Sequence, residues 1–256
     1  MIKIENVETC GWDAAIRGMR NPKNSWAKSD SHKCPCADCD GDCPMVMNGD
    51  EPAKDCEPEK YRFCVGENDF KLMQALANSG PDDGKFLRMI HVQLDVTAPL
   101  YWWKEFDTYK VGTVANSCST MHKIADKEFT LEDFSCEHLI DYDLYSCDEV
   151  DGPVISGAPH IGCGGLQLIN LTINVLNYYR GKFLETKDKI YWWQLIQLLP
   201  SSYNQRRTWD LNYAVLRNIY HARKNHKLGE WRELCAWIKT LPYSELITVK
   251  GEPDSD

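Results

Sequence analysis

The chain has 256 residues, 43% of them hydrophobic and 26% charged, with a formal net charge of −9. That balance is globular and the length suffices for a substantial core, as one domain or two. So acidic a chain is a poor general binder of nucleic acid, whose affinity rests on neutralised phosphates, and no apolar run approaches the roughly 20 residues that span a bilayer. The opening MIKIENVETCGWD has neither a basic region nor an apolar signal core, which predicts a protein that is not secreted. The expected compartment is the reducing cytoplasm, where disulfides are not the default for 12 cysteines.

Residues 11–20, GWDAAIRGMR, place Trp12, Ala15, Ile16 and Met19 on one helical face. NPKNSW breaks that helix. Residues 32–64 hold six of the 12 cysteines among Asp, Glu, Pro and Gly and read as an insertion or surface loop. ENDFKLMQALANSG returns to helical spacing and ends in Gly80, a C-terminal cap. From 89 to 97, Ile90, Val92, Leu94 and Val96 alternate with His91, Gln93, Asp95 and Thr97, the pattern of a strand with one buried face. Pro99 then opens a helix carrying Leu100, Trp103 and Phe106. Residues 129–165 are irregular. Helical patterns follow in LQLINLTINVLNYYRGKF, KIYWWQLIQLL and DLNYAVLRNIYHARKN, and a last one uses Leu228, Trp231, Cys235 and Ile238. The order predicts an α+β fold: a small mixed sheet packed with several helices, one domain over 1–256 with 32–64 as its Cys-rich insertion.

Three stretches carry candidate chemistry. In HKCPCADCDGDC, Cys34, Cys36, Cys39 and Cys43 have spacings that let thiolates wrap a soft metal, zinc above all; the alternative is an acidic loop with free thiols. In TAPLYWWKEFDTYKVGTVANSCS, Trp102, Trp103, Phe106 and Tyr109 offer flat walls for stacking a flavin or base, and Lys104 and Lys110 offer charge; the alternative is an aromatic core with a solvated charged face. At about 100° per residue, Asn212, Leu216, Ile219 and Arg223 share one narrow helical stripe, which suits a buried face needing polar partners or an Arg whose stem merely covers core. Basic residues gather in NQRRTW and LRNIYHARKNHK, leaving room for a local site for one small anion.

LLPSSYNQRRTWDLNYAVLRNIYHARKNHKLGEWRELCAWI resembles the C-terminal half of the flavin-dependent thymidylate synthases, ThyX. Leu199-Pro200, Trp209, Asn212, Asn218 and Arg223 lie on that family's pattern without a gap, and His226 with a one-residue shift. Upstream, HVQLDVTAP stands for the family's strand and proline, and Thr108-Tyr109-Lys110 occupy the place of its Arg-His-Arg. The motif serine is either Cys118 at the family's spacing or Ser119 with one insertion. Ile196-Gln197 stand where a phosphate-binding arginine is expected, and Ala214 replaces another arginine.

The resemblance implies that Asn212, Asn218 and Tyr109 contact FAD, that Arg223 recognises the pyrimidine of dUMP, and that Cys118, Ser119 and Gln197 line the substrate. Arg223 and Lys110 would then serve the reaction, with Lys110, Arg206, Arg207 and Arg223 rebuilding an anion site. The implied reaction methylates C5 of dUMP or a related nucleotide with methylenetetrahydrofolate and NADPH, in a homotetramer. The missing arginines leave open a changed reaction, or a binding or regulatory protein that kept the fold.

Overall fold

The alternating stretch at 89–97 folds as a strand of the sheet in the computed structural model, which describes residues 2–33, 63–141 and 164–249. The elements run β1 (Lys3–Cys10), α1 (Trp12–Arg20), β2 (His32–Lys33), β3 (Phe63–Cys64), α2 (Glu67–Asn78), β4 (His91–Pro99), α3 (Leu100–Phe106) and β5 (Thr113–Ser117). They continue with α4 (Gly165–Thr186), α5 (Lys189–Leu198), β6 (Asn204–Asn212), α6 (Tyr213–Arg223), α7 (Gly229–Ile238) and α8 (Glu245–Thr248). Four strands form a sheet in the order β1-β4-β6-β5. The α+β expectation holds, and so do the buried faces of α1, β4 and α7.

Three strands of this sheet escaped the sequence. β1 is mostly exposed, β5 almost wholly so, and β6 spells the polar NQRRTWDLN. None shows the apolar alternation that marks a half-buried strand. β6 is held instead by cross-strand polar pairs. Arg206 reaches Asp95 at 2.6 Å and Thr208 reaches the same carboxylate at 2.5 Å, while His91 Nδ1 lies 3.0 Å from Asp210.

The chain divides into two compact units. One comprises Met1–Ile4, Asp95–Thr108 and Asn116–Thr208, and the other Glu5–Leu94, Tyr109–Ala115 and Trp209–Asp256. In the first, the α4–α5 hairpin buries Ile169, Ile173, Leu176 and Leu195 with Ile124, Phe129 and Phe134. In the second, α6 packs against a 3-10 turn over Asp83–Met89 and against α7 and α8. Leu216, Ile219, Trp231, Leu234, Ile238 and Ile247 are fully buried there.

An ion pair fixes the base of the Cys-rich segment. The Asp69 carboxylate, 0% exposed, accepts from Arg20 Nε at 2.6 Å, from the hydroxyls of Ser29 and Ser31 at 2.6 Å, and from the N–H groups of Asp30 and Ser31 at 3.1 Å. The adjoining strands pair antiparallel, His32 with Cys64 and Lys33 with Phe63. Cys34, Cys36, Cys39 and Cys43 lie outside the described residues.

Burial pushes the Asp69 carboxyl up, but the hydrogen bonds from Ser29, Ser31 and Arg20 and the Arg20 charge outweigh it and hold it below the ordinary 3.8. The folded state therefore gains stability from this group above that ordinary value and loses it as pH falls through the lower folded value. Asp69→Asn should cost about 3–5 kcal/mol near neutral pH, because it strands the buried Arg20. The gap to wild type should narrow in acid below about 3.8. Urea unfolding at several pH values checks this, and an equal gap at all pH would contradict it.

Candidate ligand-binding site

Trp102, Trp103 and Phe106 of the aromatic run are core rather than pocket wall. Trp102 and Trp103 are 0% exposed and Phe106 2%. Trp102 stacks on Phe106 at 5.3 Å, and Trp103 donates its Nε1 proton to the Gln205 carbonyl at 2.9 Å. The helical spacing of α3 turns these rings inward together, leaving no flat face for a ligand. Arg207 lies over Trp103 at 4.2 Å and pairs with Asp107 at 2.7 Å, while Arg206 is taken up by Asp95. Each of these arginines thus already has a carboxylate partner, which weakens the expectation that they rebuild an anion site.

Tyr109 behaves differently. It is half-buried, and its hydroxyl accepts from Arg223 Nε at 2.9 Å. The Arg223 guanidinium lies 4.8 Å from the Trp231 ring centre and 5.7 Å from that of Tyr109, and His226 meets Trp231 edge-on at 6.1 Å. This is a planar cation near the Trp231 ring, held by the Tyr109 hydroxyl. Lys110, next in sequence to Tyr109, is exposed.

Asn212 does not sit on the helical stripe. It is the extended last residue of β6 and the N-cap of α6: its Oδ1 accepts from the Val215 N–H at 3.1 Å, and its Nδ2 donates to the Gly112 carbonyl at 3.4 Å. The β6 strand displaced the helix start that the pattern from 210 had suggested. The stripe that remains, Leu216, Ile219 and Arg223, faces the core.

Asn218 points elsewhere. Five residues before Arg223, it is turned about 140° around the helix. With Ala214, Arg217 and His221 it lines a cavity of about 380 Å³ completed by Ala77, Asn78, Leu87 and Arg88. Arg217 donates to the Leu246 carbonyl at 2.7 Å and to Asn78 Oδ1 at 3.2 Å. Among the described residues, neither Arg88 nor Arg217 has a carboxylate partner and no Asp or Glu lines the cavity.

Both ring nitrogens of His221 are buried without a hydrogen bond of good geometry. Burial pushes the imidazole down, Arg217 and Lys224 push it further, and the nearby backbone of Val249 and Ile247 opposes them more weakly. His221 and Arg217 come from the basic run already noted in LRNIYHARKNHK. Helical periodicity could have placed them beside Asn218, but nothing local in sequence marks Arg88.

The other expected residues belong to the first unit. Cys118 is exposed; its N–H bonds to the Arg206 carbonyl at 2.9 Å, and its carbonyl accepts from Gln205 Nε2 at 2.8 Å. Ser119 Oγ accepts the N–H groups of Met121 and His122 at 3.3 and 3.0 Å, closing a tight turn. Gln197 is exposed on α5. Among the described residues, no group of three or more His, Cys, Asp or Glu could hold a metal ion, and no helix is long and apolar enough to cross a membrane.

The likeness to solved structures shows a ThyX-like fold. The chain is similar to thymidylate synthase X from Helicobacter pylori, solved with FAD and dUMP, at a TM-score of 0.58 and 13% identity over 97% of each chain. It is also similar to the UMP/dUMP methylase PolB from Streptomyces cacaoi, solved with 5-Br dUMP, at a TM-score of 0.53 and 14% identity over 98% of this chain and 96% of that one. At these identities the likeness is one of fold. No protein-family profile matches the chain, and no curated protein matches it by sequence.

Gly112 tests the junction that joins Tyr109 to Asn212. Its φ is +74°, and a Cβ there would stand 2.9 Å from Asn212 Nδ2 and 3.2 Å from Val215 Cγ2. Gly112→Ala should lower stability by about 1–3 kcal/mol through strain at positive φ, read as a drop in Tm. An unchanged Tm would mean that the junction yields freely.

Proposed function

We propose that this chain is a ThyX-like flavoprotein that binds FAD and a pyrimidine nucleotide, dUMP or a close relative, and methylates its C5. The observation that carries the reading is α6, which presents an arginine over an aromatic ring on one side and a cavity lined by Arg88, Arg217 and His221 on the other, within a fold shared with FAD- and dUMP-bound ThyX. A dinucleotide cofactor needs cations for its phosphates and apolar surface for its rings. Arg88, Arg217 and His221, beside Ala77, Leu87 and Ala214, fit that need.

FAD, reduced by NADPH, supplies when bound the hydride that converts a methylene group from methylenetetrahydrofolate into the C5 methyl, while the C5 hydrogen leaves as a proton. The chain's own part is positioning. Arg223 orients the pyrimidine edge with its planar fork, Tyr109 holds that fork in place, and Asn218 offers an amide to the cofactor. Lys110 adds charge beside the substrate. Cys118, Ser119 and Gln197 complete the nucleotide's surroundings in this reading.

A homotetramer belongs to the same proposal. Leu168, Leu171 and Tyr178 on α4 and Ile190 and Trp193 on α5 are exposed, and a surface this apolar supports self-association. Zinc held by Cys34, Cys36, Cys39 and Cys43 is its remaining part. A second reading, a nucleotide-binding or regulatory protein without catalysis, is favoured by Ala214 and by Thr108-Tyr109-Lys110 where ThyX carries arginines.

One purified sample tests the set. It should be yellow or take up FAD saturably, scatter light as a tetramer and contain zinc; each failure removes its own part, and a failure to bind FAD removes the flavoprotein. If dUMP or UMP binds but no methyl group is transferred, the second reading stands.

Arg223→Lys keeps the charge and loses the fork. It should weaken dUMP binding by at least about tenfold, the loss of one charge-assisted hydrogen bond, with little change in Tm. Equal calorimetric affinities would place Arg223 outside the site.

A further inference from the structure

A second cavity, of about 400 Å³, lies between α1, the end of α2 and the 83–89 turn, and shares no lining residue with the cavity beside α6. The turn keeps the two apart because side chains three residues apart eclipse on a 3-10 helix. Asp83, Phe86 and Met89 form one row and line this cavity, while Gly84 and Leu87 form the next row and line the other. Gly18 leaves the space on the α1 side: a Cβ there would stand 3.1 Å from Met89 Sδ.

The lining describes a ligand with an apolar body. Met19 and Phe86 are buried and floor the hollow, Leu76 is half-buried, and Pro22 and Met89 are exposed at its edge. Methionine side chains are polarizable and flexible, and their sulfurs make favourable contacts with aromatic rings. The volume falls in the lower part of the range for small-molecule sites.

The rim adds a charge requirement. Asp82, Asp83 and Lys85 stand there, all exposed, and none of them makes an ion pair or side-chain hydrogen bond among the described residues. The two carboxylates sit on short side chains that hold them near the turn. The long stem of Lys85 lets its ammonium move out into water. Two adjacent negative charges without a partner are stabilised when a cation enters.

We propose that this cavity binds a small arylalkyl amine, with its ring against Met19, Phe86 and Met89 and its ammonium at Asp82 and Asp83. Burial of the ring supplies most of the affinity, because exposed ion pairs contribute little each. The carboxylates decide which charge is accepted.

The test uses the full chain labelled with carbon-13 in the methionine methyl groups and followed by NMR at neutral pH. It is titrated with phenethylamine and, separately, with 2-phenylethanol and 3-phenylpropionate, which carry a like ring on a neutral and an anionic tail. Met19→Leu and Met89→Leu assign the two methyl signals. Both signals should move saturably with phenethylamine, with a Kd on the order of a millimolar or tighter for so small a ligand. The alcohol should bind at least about threefold more weakly, and the acid more weakly still. Asp82→Asn combined with Asp83→Asn should lower the amine to the alcohol's affinity and leave the alcohol unchanged. Raising salt to about 1 M should shrink the amine's advantage, since exposed charges are screened.

Neither signal moving with phenethylamine up to about 10 mM, or saturable movement confined to other methionines, would overturn the site. Equal binding of all three probes, tighter binding of the acid, or an amine affinity indifferent to the double variant would overturn the amine assignment. No FAD or nucleotide enters the measurement, so its outcome is independent of the flavoprotein reading.

Discussion

The Asn212 side chain joins β6 to α6 by giving Oδ1 to the Val215 N–H and Nδ2 to the Gly112 carbonyl. That bivalent amide sets where the helix begins. Tyr213 continues the fastening, with its N–H on the Ile90 carbonyl at 3.0 Å and its hydroxyl on the Pro242 carbonyl at 2.5 Å. A helix pinned so firmly at its first turn, over a stripe of Leu216 and Ile219 that is 0% exposed, cannot rotate to trade one face for another. The angular positions of Arg223 and of the cavity residues are fixed by that start.

Two environments follow on opposite sides of one helix. Arg223 ends the stripe, with its Nε on the Tyr109 hydroxyl and its guanidinium over the Trp231 ring, so it is positioned before any ligand arrives. Arg217 and His221, on the other side, line a hollow, with Arg217 held by the Leu246 carbonyl and Asn78 Oδ1. Rigid stacking suits recognition of a planar edge, and uncompensated charge suits an anion. The proposed function assigns the pyrimidine to the first and phosphate to the second.

How much of this could be read from sequence depended on where the signal lay. β4 declared itself because Ile90, Val92, Leu94 and Val96 alternate against a core, and α1 and α7 because their apolar residues recur at helical spacing. β6 was hidden because its outward residues are Arg206, Thr208 and Asp210, stabilised by Asp95 and His91 more than a hundred positions earlier. Missing that strand moved Asn212 onto a helix. Trp102 and Trp103 were misjudged because aromatic mass beside charge fits both a pocket and a core, and only tertiary packing separates the two. The Arg223 stack was partly legible through the ThyX resemblance. The cavity was not, since it needs Asn78 and Arg88 brought to α6 from α2 and the 83–89 turn.

The central claim is that the two faces of α6 serve two ligands, the nucleotide's pyrimidine at Arg223 and the cofactor's phosphates in the cavity. The most direct measurement is a crystal structure of the protein grown with FAD and dUMP. The account predicts a phosphate group against Arg88 and Arg217 and a pyrimidine edge on Arg223. Ligand bound with Arg88, Arg217 and Arg223 all untouched, or crystals that stay empty at saturating ligand, would contradict it.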